Sequence, residues 1–118
     1  MKLTIKEQER LMMFTLAEMS RRRWKRGWKL NYIEAMAIIC DELLERAREG
    51  KSNIYDLVEL GSKIITEEDV MEGTPSLMPI IMLEVMFPDG NKLVTVQDPV
   101  RLEKREEAVP MDELLTMN

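Results

Sequence analysis

Thr4-Ile5-Lys6-Glu7 and Asn31-Tyr32-Ile33-Glu34 carry the same helix-start signal, and each is closed downstream by a glycine, Gly27 and Gly50. In such a capping box the first side chain accepts from the backbone N–H three residues on, and the carboxylate there reaches back to the first backbone N–H. A glycine just past the last turn takes the left-handed conformation that side chains resist. The spacing predicts a helix from residue 5 to about residue 26 and a second over 32–49. The short connection between them makes the pair antiparallel. Leu11, Met12, Thr15, Leu16 and Met19 recur at steps of three and four and predict the core-facing stripe of the first helix. Tyr32, Met36, Ile39, Cys40, Leu43 and Ala47 do the same for the second, with Arg46 and Arg48 suiting the dipole at its end.

The remaining glycines continue the punctuation. Ser52 or Asn53 caps a short helix through Leu60, stopped by Gly61, and Thr66-Glu67-Glu68-Asp69 opens another that Gly73 ends before Pro75. Pro88-Asp89-Gly90 is a turn with a mechanism: proline presets φ, aspartate bonds its own backbone and glycine tolerates positive φ. It joins predicted strands at 79–87 and 92–97. The fold class is therefore α+β: two long antiparallel helices, two short ones and a C-terminal two-stranded antiparallel hairpin.

The hairpin is the element that needs a partner. Leu83, Val85 and Phe87 face one way, Met82, Glu84 and Met86 the other, so both faces carry apolar side chains. Two isolated strands are marginal in water. The chain's own helices can cover one face, and a second protein is expected against the other. After Pro99 the character changes. Residues 101–118 are densely charged, lack glycine and are interrupted by Pro110, a composition that predicts disorder or an extension docked loosely on a partner. The expected division is a domain over 1–100 and this extension over 101–118.

The chain has 118 residues, 45% hydrophobic and 33% charged, the size and balance of one folded domain. A net charge of -5 argues against a general nucleic-acid binder. No run reaches the length of a membrane span, and the first ten residues lack the apolar core of a signal peptide. With a single cysteine, these features lead to an expectation of a cytoplasmic protein.

Histidine is absent, which removes Ser-His-Asp and Cys-His pairs and the commonest metal ligand. Cys40 lies in the apolar run AMAIIC and reads as a small buried hydrophobe. Glu67, Glu68, Asp69 and Glu72 suit a helix N-terminus better than a divalent-cation site, having no loop of alternating oxygen ligands. The eleven methionines suit core gaps and adaptable contact surfaces. The segment RRRWKRGW, residues 21–28, is the loudest local signal. Cations interleaved with Trp24 and Trp28 can bind single-stranded nucleic acid, but cations also suit a helix C-terminus while the tryptophans pack or mark a protein interface, and the acidity of the chain favours these readings over nucleic acid.

The blocks MKLT, WKLNYIEAMAII, AREGKS, VMEGTPSLMP and FPDGNKLVTVQDP, in this order and spacing, resemble the urease gamma subunit over residues 1 to about 100. The resemblance implies a non-catalytic assembly subunit that joins beta and alpha subunits in a multimer built on threefold symmetry. It implies that urea is hydrolysed to ammonia and carbamate at two nickel ions held by the alpha subunit, with no cofactor, metal ligand or catalytic residue on this chain. The alternative function is a small nucleic-acid-binding or regulatory protein using residues 21–28. Gln97 stands where the family commonly has histidine, so a contact there loses its pH response. Trp24 and Trp28 look atypical of the family and are expected at a contact surface. The candidate interface residues are thus Trp24, Trp28, Met82, Met86, Phe87 and Gln97.

Overall fold

The computed structural model describes residues 1–115. Both capping boxes form. Thr4 N–H donates to Glu7 Oε1 at 2.8 Å, and Asn31 and Glu34 exchange two bonds of 2.9 Å. They open α1 (Ile5–Lys25) and α2 (Tyr32–Glu49). Gly50 caps α2 at φ 84° and Gly27 follows α1 at φ 85°. A third box, Asn53 with Asp56, opens α3 (Ile54–Gly61).

The segment 66–73 is arranged differently from the helix expected there. Only Glu67–Asp69 form a helical turn, of the 3-10 type. The Asp69 carboxylate folds back onto the Thr66 N–H and hydroxyl at 2.7 and 2.8 Å and closes the turn. Val70 then leaves in extended conformation to bridge Leu30 in parallel. Gly73, at φ 83°, precedes α4 (Thr74–Leu77) rather than ending a helix.

The hairpin pairs β1 (Ile80–Phe87) with β2 (Gly90–Gln97), in register from Ile80 opposite Gln97 to Phe87 opposite Gly90. Its inner face (Ile81, Val85 and Phe87 with Val94 and Val96) is buried. Helix α2 lies against β1 and α3 against β2. Gly61 makes the second contact possible: a Cβ there would sit 2.6 Å from Val96 Cγ2, so the residue is glycine for proximity, not for a turn. The architecture is α+β as the sequence predicts, with further short helical pieces beyond the two expected.

Helix α1 departs from its predicted orientation. Leu11, Met12, Thr15 and Met19 are exposed and Leu16 is only half-buried. The face turned to α2 is instead Ala17, Ser20, Arg21 and Trp24. Small Ala17 and Ser20 bring the helices close, and buried Arg21 donates through Nη2 to Asp41 Oδ2 at 2.7 Å. Arg10 takes the other Asp41 oxygen at 2.7 Å and Glu45 at 2.6 Å. An ionised Asp41 in the interior must be paired, and two arginines on one side of α1 supply the pairing. That requirement decides which side of α1 faces in.

The charged stretch after Pro99, expected to be disordered or docked on a partner, lies against this chain's own core as far as Leu115. Residues 116–118 of that stretch lie outside the described residues. Val100 and Leu114 are buried, the latter in the short helix α5 (Met111–Leu115). The Glu67 and Glu68 N–H groups donate to the carbonyls of Leu102 and Glu103, and Val109 N–H donates to the Lys63 carbonyl at 2.8 Å. Local composition could not show this, because the partners are distant backbone groups.

Candidate docking surface

Three structural features bear on contact with other molecules. The first is the outer face of the hairpin. Alternation along β1 turns Met82 and Met86 outward, where they are 62% and 66% exposed. Ile80 and Leu93 are exposed on the same face, and Gln97 is exposed opposite Ile80. Leu93 was not expected there; its place opposite outward Glu84 follows only once the register is known. Lys6 of α1 bonds Glu84 at 3.2 Å along this face. Phe87 is not part of the open surface. It alternates inward with Val85 and is buried by the chain itself.

The second feature is the cluster around Trp24, which is also not at a contact surface. Trp24 is 4% exposed. Its indole N–H donates to Asp69 Oδ1 at 3.1 Å, and the guanidinium of Arg105 lies 5.2 Å over its ring. Arg105 Nη1 also donates to Asp69 Oδ2 and to the Ile64 carbonyl, each at 2.7 Å, and Nη2 to the Val109 carbonyl at 2.6 Å. One arginine thus ties the C-terminal stretch to the turn at Asp69 and to α1. The planar fork suits several oxygens at once. Sequence reading missed Arg105; an unpartnered Trp-Asp pair is visible only in space. The same cluster engages two carboxylates of the acidic run: Asp69 accepts from Trp24, Thr66 and Arg105, and Glu68 accepts from the Arg105 backbone N–H at 2.6 Å.

The third is the outward stripe of α1 and its basic end. Of the cations in 21–28, Arg21 is paired with Asp41 inside, and Arg23 bonds Glu34 at 2.6 Å. Beyond that segment, Lys29 donates to the Glu68 carbonyl. Arg22, Lys25 and Arg26 are exposed and have no ion-pair partner among the described residues, and Trp28 beside them is 55% exposed. Of the two tryptophans, only Trp28 faces outward.

Two of the buried titratable groups are shifted toward their neutral forms. Burial, followed by the neighbouring Asp41 charge, pushes the Cys40 thiol up to about 11, so it stays protonated and inert at neutral pH. Burial also raises Glu42, against the opposing pull of Arg21 and Arg46. Among the described residues no three His, Cys, Asp or Glu side chains gather to hold a metal, and no helix is long and apolar enough to cross a membrane.

Comparison with known proteins gives this surface its context. The family model for the urease gamma subunit matches residues 1–100. A urease subunit gamma of Natronomonas pharaonis is 50% identical over 107 residues, 91% of this chain and 97% of that one. The urease subunits gamma/beta of two Pseudomonas syringae pathovars are each 50% identical over 101 residues, 86% of this chain but 43% of theirs. The chain belongs to the urease gamma-subunit family.

Proposed function

We propose that this urease gamma-family chain is a non-catalytic assembly subunit of a nickel-dependent urease, joining beta and alpha subunits in a trimeric or higher assembly. Family membership over residues 1–100 is the observation that carries the reading. The residues present do not fit a nickel centre, since the sequence has no histidine and the buried carboxylates of Glu34, Asp41 and Asp69 are hydrogen-bonded to arginines. The nickel pair, and with it the hydrolysis of urea to ammonia and carbamate, is assigned to the alpha subunit. The role of this chain is to present surface. With its single unpaired cysteine, we place it in the cytoplasm.

The outer hairpin face is the contact we assign first, because Met82 and Met86 leave apolar side chains open on a sheet already covered on its other side. Co-expression with the companion chains, followed by mass measurement of the purified complex, tests the reading. Met86→Lys places an unpaired ammonium in that contact. It should weaken assembly by about 3 kcal/mol, roughly a hundredfold in the association constant. Urease activity should fall in proportion to lost complex, with normal turnover in what remains. Wild-type assembly and activity in Met86→Lys would show that this face meets solvent.

A further inference from the structure

The exposed stripe of α1 changes character along its length. Met12, Thr15, Met19, Arg22 and Arg26, at steps of three and four, occupy one side of the helix. Met12 is 63% and Met19 43% exposed, so the first half is apolar, while the second half is cationic and ends beside exposed Trp28. From Met12 to Arg26 the stripe runs about 21 Å at 1.5 Å per residue. The opposite side of the same helix already holds the chain's own interior. Dipole preference accounts for cations in the last turn but not for two open methionines on the same side of the helix.

We propose that this stripe receives an acidic, amphipathic segment of a partner subunit, with apolar side chains on Met12 and Met19 and carboxylates on Arg22 and Arg26. The inference rests on the reading that the chain assembles with other urease subunits. Charge complementarity selects the occupant. The chain carries -5 overall, yet here Arg22, Lys25 and Arg26 have no carboxylate partner among the described residues. Each of the other two arginines of the run has found one, Arg21 in Asp41 and Arg23 in Glu34. Methionine adapts to another chain's side chains, and tryptophan and arginine are the residues that anchor interfaces. A polyanion is the poorer fit, because half of the stripe offers it no charge and the rest of the chain repels it.

The test uses the complex co-expressed with its companion chains. Arg22→Glu/Arg26→Glu should raise the dissociation constant of this chain at least tenfold in 0.05 M NaCl. The difference should shrink by 0.5 M, where screening cuts the reach of each charge to about 4 Å. Arg22→Ala/Arg26→Ala, which adds no repulsion, should show a smaller loss in the same direction and decides the matter if the reversed variant misfolds. Wild-type assembly of both double variants, with Met86→Lys still dissociating, would overturn this inference and leave the assembly reading standing. Failure of the wild-type chain to join companion subunits would overturn both. If the double variants lose binding to a labelled single-stranded oligonucleotide while assembling normally, the cations serve nucleic acid and the proposal is wrong.

Discussion

Removing the Arg105 side chain should cost more than any other single change in the C-terminal stretch. Its guanidinium bonds the Asp69 carboxylate and two backbone carbonyls and covers the ring of Trp24. Breaking a fully buried ion pair from one side costs about 3–5 kcal/mol, because a charge is left uncompensated. Two features lower that here. The Arg105 side chain retains 20% of its exposure, and Asp69 keeps the Thr66 N–H, the Thr66 hydroxyl and the Trp24 indole as donors. We expect Arg105→Ala to lose about 2–3 kcal/mol. Arg105→Lys should recover less than half of this, since one ammonium cannot serve three oxygens that the fork reaches through two nitrogens. Urea unfolding followed by tryptophan fluorescence reads both, with Trp24 as a reporter at the site. With a slope of about 1–3 kcal/mol/M, the midpoint for Arg105→Ala should fall by about 0.7–3 M. A loss below about 0.5 kcal/mol, the range of ordinary surface substitutions, would mean that the stretch merely lies on the surface and that the geometry at Arg105 contributes nothing.

Gly61→Ala should destabilise by about 1–2 kcal/mol despite alanine's better helix propensity, because the added methyl meets a buried, β-branched Val96 at 2.6 Å. With Val96→Ala in the same chain the two losses should sum to more than the double variant shows, a coupling that urea midpoints measure. Glu42 is less stable ionised in the fold than in the unfolded chain, so its native carboxyl holds its proton above the ordinary 4.5. The stability linked to that proton is fully present below 4.5 and is lost as pH rises through the raised native value. Glu42→Gln should therefore be more stable than wild type at pH 7, with the gain vanishing below about pH 4.5. A constant difference across that window would show that the charge of Glu42 is not what burial opposes.

Much of the fold was legible because much of it is set locally. Capping boxes at Thr4 and Asn31 and left-handed glycines at 27 and 50 act within four residues of themselves, and the structure has each where the sequence puts it, while the choice left open between Ser52 and Asn53 falls to Asn53. The misreadings have the opposite cause. Trp24 could not be placed without Asp69 and Arg105, which lie 45 and 81 positions further along the chain. Phe87 stands among the expected interface residues although its alternation with Leu83 and Val85 already puts it on the side opposite Met82 and Met86, and that side is the one the chain covers itself. The 66–73 segment looked helical by its acidic first turn, but the extended bridge of Val70 to Leu30 is a tertiary contact that local propensity does not see.

Helix α1 carries the more general lesson. Hydrophobic periodicity says that a helix has an apolar side; it does not say whose interior that side belongs to. In α1 the most apolar side is open, and the side bound to α2 is made of Ala17, Ser20 and Arg21. The sequence held a clue in α2, where Asp41 interrupts the run Ile38-Ile39-Cys40 just before Leu43. A carboxylate at such a position requires cations from the facing helix, and Arg10 and Arg21 are spaced to meet it. Once those arginines are turned inward, Met12 and Met19 must point out. Both long apolar surfaces left open, on α1 and on the hairpin, therefore follow from how the chain satisfies its own interior. Lys6, on α1, bridges to Glu84 on the outer hairpin face, so the two elements meet at the N-terminal end of α1. An interior that consumes only one side of the first helix and one side of the sheet leaves both surfaces free for the assembly proposed above.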